Sequence, residues 1–305
     1  MPLTLIVEQL LNGLQLGLML FLLAAGLTLV FGIMDMINLA HGSLYMIGAY
    51  IAASAIAASG SFLIGLAAAI AGTAAIAIAL EMTILRRLYR RSHLAQVLAT
   101  FALILIANEA VRMVWGSQPI LLNMPAGLSG PVDFGGFTYP AYRLVVIAAG
   151  LAIAALLYLL VARTKIGMWV RAGAADREMA NVMGVNTTWL FTFVFAAGAA
   201  LCAVAGALLG PLLAVQVGMG ENILILAFVV IVIGGIGSIR GALIGALLVG
   251  FVDTAGRAFL PQLFRSLFPE AIAAETGPAV AAVLIYVVMA AVLYWRPSGL
   301  FPTRA

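Results

Sequence analysis

The sequence predicts an all-α fold, a polytopic helix bundle that crosses a membrane about eight to ten times. Three observations carry that prediction. Of 305 residues, 65% are hydrophobic and only 9% charged, and the mean hydropathy is +1.19. Soluble domains carry about 25% charged residues, so this surface cannot face water on every side. Apolar runs of spanning length recur along the chain. Between them, basic residues gather in short connections, the pattern of a topology signal rather than of nucleic-acid binding, although the net charge is +4.

The runs fall at about 5–33, 37–59, 62–85, 94–114, 142–162, 189–214, 222–236, 241–261 and 278–295. A bilayer core takes about 20 apolar residues per helix. No water reaches backbone groups there, so each run must be helical. The opening "MPLTLIVEQLLNGL" has no basic stretch ahead of its apolar run, which reads as a retained helix rather than a cleaved signal. Three basic segments follow: "RRLYRRSH" with Arg86, Arg87, Arg90 and Arg91; loop 163–188 with Arg163, Lys165, Arg171 and Arg177; and the tail with Arg296 and Arg304. All three are assigned to the cytoplasm, and parity puts the turn at Arg240 with them. Three full spans before the first basic loop place the N-terminus outside, whereas one broken or re-entrant run places it inside. The residues leave both open. Loop 115–141, rich in Gly and Pro and free of Lys and Arg, is external, either a docking surface or a plain connector. Cys202, the one cysteine, excludes an internal disulfide and a cysteine-cluster metal site.

Loop 163–188 holds an unusual density of charge: Arg171, Asp176, Arg177 and Glu178 within eight residues. Asp176 can N-cap a short helix running to Met183, and Gly184 can supply its left-handed C-cap. Met179, Val182 and Met183 then share one apolar face, with Arg177 and Asn181 on another. Ile166, Met168, Trp169 and Val170 can pack the loop against the membrane. A two-turn helix is marginal alone, so the apolar face needs a surface, in this chain or in a second protein.

Glu178-Met179-Ala180-x-x-x-Gly184 matches the E-A-A-x-x-x-G pattern of ABC importer permeases, with Met for the first Ala. Together with "FGIMDMINLAHGSLYMIGAY" (31–50), "RAGAADREMANVMGVN" (171–186) and "VIVIGGIGSIRGALIGALLVG" (230–250), it makes the chain resemble the branched-chain amino acid ABC transporter permeases of the LivH type over nearly its whole length. The resemblance implies a single transmembrane permease domain, 1–305, in the bacterial cytoplasmic (inner) membrane. It implies a cytoplasmic coupling helix that docks on an ATPase, placing Asp176, Arg177, Glu178, Met179, Ala180, Met183 and Gly184 at that contact. The implied partners are a paralogous second permease subunit, two cytoplasmic ATPase subunits that hold ATP and Mg, and an external substrate-binding protein, all within membrane lipid. No nucleic acid, and no cofactor or metal on this chain, is expected.

Polar groups inside the apolar runs are the candidate translocation pathway. Asp35, Asn38, His41 and Ser43 cluster where the first two runs meet. Asn38 or Ser43 can cap a broken helix whose free backbone groups would hold the charged ends of an amino acid, or the cluster is a satisfied interfacial loop. Glu109 with Arg112, Glu81 with Arg86 or Arg87, and Asp253 with Arg257 read as ion pairs. Glu221 and Asn222 can line an external mouth. Gly237, Gly241 and Gly245 repeat at four-residue spacing, which lets membrane helices approach closely. No G-x-x-x-x-G-K-[ST] sequence occurs, so ATP-driven transport needs another polypeptide as motor. Two alternatives remain: an importer of urea or short amides, and an ion-driven secondary transporter relaying through Asp35, His41, Glu109 or Asp253.

Overall fold

The computed structural model describes residues 3–301 apart from Arg90 and Ala126. Arg90 and Arg304, two of the basic residues named above, therefore lie outside the described residues. The apolar runs form α1 (Leu3–Met34), α2 (His41–Ser59) and α3 (Phe62–Leu80), the last prolonged by a π-helical turn, Glu81–Leu85, and a short α4 (Arg86–Leu88). Next come α5 (His93–Trp115) and α6 (Ala141–Arg163), then two short helices, α7 (Lys165–Ala175) and α8 (Arg177–Val182). The chain continues through α9 (Thr187–Leu209), α10 (Met219–Gly234), α11 (Ile239–Leu267) and α12 (Glu270–Trp295). Among the described residues eight helices are long and apolar enough to cross a membrane, while α10, at 16 residues, is shorter.

The order of burial follows from composition. From Leu18 to Val30, α1 is apolar almost all round, apart from a buried Thr28, and its side chains are nearly all excluded from solvent. A helix apolar on every side belongs in the centre. Here α1 packs against α9, α10 and α11, and α2 and α3 close over α9. The approach is close where α1 meets α9: a Cβ on Gly26 would stand 2.9 Å from the Gly198 carbonyl oxygen. At that distance dispersion and backbone contact replace the hydrophobic drive that lipid does not supply. Outside this core α12 leans on α11, and α5 and α6 keep wide apolar faces exposed.

The two ends of the bundle are identified by contacts across the chain. On one end Leu300 N–H donates to Ile233 O and Phe301 N–H to Gly234 O, at 2.9 Å each, fastening the tail to the α10–α11 turn. The Arg240 guanidinium lies 5.7 Å from the Tyr158 ring near the end of α6, and Gly32 of α1 abuts Gly237 in the turn. This end carries the basic segments. At the other end Tyr139 Oη donates to Asn12 Oδ1 at 2.9 Å, and Arg143 also bonds Asn12. The start of α1 is therefore opposite the basic loops, which resolves the alternative that the sequence left open.

Two segments carry more structure than their sequence suggested. Loop 163–188 contains α7, whose Thr164 side chain accepts a hydrogen bond from Gly167 N at 3.2 Å as its N-cap. Ile166, Val170 and Gly173 recur at spacings of four and three and turn inward; an apolar set at that spacing is a helix face. Loop 115–141 holds a hairpin, β1 (Pro131–Asp133) with β2 (Thr138–Pro140), pairing Val132 with Tyr139. It also makes a bridge from Ile120 to Val215 that ties it to the α9–α10 connection.

Candidate functional site

Helix α8 forms where local chemistry puts it. Asp176 sits in extended backbone and its Oδ1 accepts from Met179 N at 2.9 Å. Glu178 in the first turn complements the positive helix end. At the far end Gly184 N–H bonds Asn181 O and Val185 N–H bonds Ala180 O, both at 3.0 Å, with Gly184 at φ +89°. That pair of bonds is a Schellman closure and needs a left-handed residue. Asn181 Oδ1 accepts from Thr187 Oγ1 at 2.9 Å, so α8 is fixed to the start of α9. Ala180 is buried, whereas Met179, Val182 and Met183 are 57%, 80% and 77% exposed. A three-residue apolar face thus stands free on a rigidly capped helix at the basic end.

Arg177 turns away from that face. Its guanidinium lies 4.5 Å from the centre of the Phe191 ring on α9, a cation–π distance. Phe191 meets Tyr89 edge-to-face at 5.8 Å. Tyr89 Oη donates to Glu81 Oε1 at 2.9 Å, Thr192 Oγ1 donates to Glu81 Oε2 at 2.7 Å, and Arg86 Nη2 reaches the same oxygen at 2.9 Å. Glu81 is fully buried in the π-helical turn. Burial, reinforced by the adjacent Glu81 charge, holds the Tyr89 phenol above its ordinary value and keeps it a donor. The sequence indicates the Glu81–Arg86 pair, but not Tyr89 or Thr192, whose separations of 8 and 111 residues exceed any local pattern. Beside α8, a cavity of about 400 Å³ opens between α7 and the start of α9, lined by Ile166, Trp169, Val185, Trp189 and Phe193.

Of the four candidate pathway residues, Asn38, His41 and Ser43 are buried and Asp35 stands apart. Asp35 is exposed, at φ +47° directly after α1, a left-handed conformation that Asp tolerates. Residues 35–40 then double back along α1, so that His41 packs on Gly26, roughly 12 Å inside the end of that helix. Asn38 Oδ1 accepts from Ala40 N at 3.0 Å, making it the residue that organises the start of α2; Ser43 makes no side-chain cap. His41 is fully buried with Nε2 3.0 Å from Cys202 Sγ. Gly42 and Gly220 meet backbone to backbone, joining the first turns of α2 and α10.

The remaining residues fall as follows. Gly241 and Gly245 line the α10–α11 seam, where Cβ atoms would strike Gly234 and Val230, while Gly237 lies in the turn itself at φ +82°. Glu109–Arg112 and Asp253–Arg257 are ion pairs at 2.7 and 2.8 Å. Glu221 accepts a hydrogen bond from Asn108 Nδ2 on α5, a contact that the sequence did not indicate.

Residues 9–293 match the family model for the permease component of branched-chain amino acid transport systems. Over 308 residues the chain is 32% identical to the high-affinity branched-chain amino acid transport system permease protein BraD of Pseudomonas aeruginosa, covering 96% of this chain and 94% of that protein. It is 33% identical over 282 residues to the permease protein LivH of Escherichia coli, covering 85% and 89%. Among solved structures, an ABC transporter in an inward-facing conformation aligns with 95% of this chain and 85% of its own, at 16% identity and a TM-score of 0.46.

Proposed function

The chain belongs to the branched-chain amino acid transport permease family, and from that premise we propose that it is the membrane subunit of an ATP-driven importer of branched-chain amino acids in the bacterial cytoplasmic membrane. A paralogous permease subunit would complete the pathway, two cytoplasmic ATPase subunits would bind ATP and Mg, and an external binding protein would deliver substrate. Closure of the ATPase pair on ATP would move α8, and the permease halves would alternate access.

One observation carries the coupling assignment: α8 is capped at both ends yet leaves Met179, Val182 and Met183 uncovered. Six residues do not hold a helix by themselves in water. Fixed by caps and presenting an apolar face rich in Met, α8 has the form of a tooth for a groove on a moving partner. Asp176, Glu178 and Gly184 hold that tooth rather than touch substrate.

The test is purification of the tagged chain in mild detergent, with every co-purifying polypeptide identified. An ATPase bearing a P-loop should be recovered with the wild type and lost on replacing Met179, Val182 and Met183 together by Ser. Recovery of the chain alone, competent in ion-driven uptake after reconstitution, would make α8 an ordinary connector and the protein a secondary transporter.

A further inference from the structure

Three carboxylates on the spanning helices, Glu81, Glu109 and Asp253, each hold an arginine. Glu221, in the first turn of α10, holds only an amide: Asn108 Nδ2 donates to its Oε1. Two atoms of this pair, Glu221 Oε2 and Asn108 Oδ1, are buried and have no hydrogen-bond partner. Both are acceptors. Asn108 lies seven residues, about 10 Å, from the outer end of α5 at Trp115, so the pair sits within the bilayer. A carboxylate there without a cation is costly unless something supplies one. Flipping the Asn108 amide would set oxygen against oxygen and repair nothing.

We propose that Glu221 and Asn108 bind the primary ammonium group of the transported amino acid. An ammonium carries one positive charge and three N–H donors and no acceptor, which is what a lone carboxylate oxygen and a lone amide oxygen require. Charge-assisted bonds of this kind are about twice as strong as neutral ones. The pair is set into an otherwise apolar contact, since Leu103, Ile104 and Val111 of α5 are buried in the core on either side of Asn108, so these polar atoms interrupt a seam that apolar side chains would otherwise fill. This inference rests on the amino acid reading above and deepens it. Urea has no charge to match Glu221, so the site selects a zwitterion over a neutral amide.

The experiment uses the whole transporter in membrane vesicles. Glu221→Gln should still assemble but lower leucine uptake about tenfold or more at saturating loaded binding protein, with Glu221→Asp restoring part of it. Dicyclohexylcarbodiimide, which attaches to membrane carboxyls, should modify Glu221 in the empty wild type, and leucine should suppress that modification. The des-amino analogue 4-methylpentanoate, urea and sodium chloride should not. Wild-type uptake in Glu221→Gln overturns the proposal whatever the labelling shows, and so does equal protection by sodium or urea. Should Glu221→Gln fail to assemble, Asn108→Ala takes its place in the uptake assay. A wild-type transporter that takes up no leucine speaks instead against the amino acid reading itself.

Discussion

Single residues set the behaviour of α8 and of the node beneath it. Asp176→Ala removes the N-cap bond to Met179 and should cost about 1 kcal/mol of local stability, read as faster amide exchange across 177–182 and a lower yield of bound ATPase. Tyr89→Phe keeps the ring against Phe191 but takes a donor from a fully buried carboxylate. The cost should be about 1–3 kcal/mol, measured as a lower melting temperature in detergent. The phenol is held above its ordinary value. Its contribution is therefore complete below the usual tyrosine range, near pH 10, and is lost only as pH rises beyond that through the raised value. Tyr89→Phe should abolish that alkaline loss. Asp176 and Gly184 were legible in the sequence because capping is a matter of three or four neighbouring residues. Tyr89 and Thr192 were not, because a buried acid recruits donors from wherever the fold brings them.

Between elements, glycines of similar appearance have different duties. Gly241 faces the backbone of Gly234, and a Cβ would overlap its carbonyl. Gly241→Ala should therefore pry α10 from α11 at about 1–3 kcal/mol, seen as earlier thermal aggregation. Gly184 has open space around it and only its positive φ to protect; Gly184→Ala should cost about 1–2 kcal/mol, confined to the end of α8. The repeat Gly237-x-x-x-Gly241-x-x-x-Gly245 reads in sequence as one stripe, but the first member belongs to the turn. Likewise α7 hid inside a charged loop, since Lys165 and Arg171 masked the inward spacing of Ile166, Val170 and Gly173.

For the whole molecule, the apolar runs and basic loops prescribed the number of helices and which connections share a side. What they could not prescribe was the polarity of the first three runs, because α1 has no basic flank and α2 starts below the surface rather than at it. Contacts from Asn12 to Tyr139 and Arg143 put the start of α1 opposite the basic loops. In a Cys202→Ala background, an impermeant maleimide applied outside intact cells should label Thr4→Cys and spare Val182→Cys. Inside-out vesicles should reverse the pattern, and labelling of both from one face would overturn this topology.

Helix α10, at 16 residues, rises only about 24 Å, and the carbonyls of Ile233 and Gly234 at its end are closed by Leu300 and Phe301. Those donors leave the ribosome more than sixty residues later. During insertion α10 must wait at the membrane surface that carries the basic loops, with those groups in water, and only after α12 has followed can the latch form. Assembly of this half of the bundle is thus timed by the emergence of residues 300–301, and a nascent chain stalled within α12 should hold α10 and α11 loosely paired.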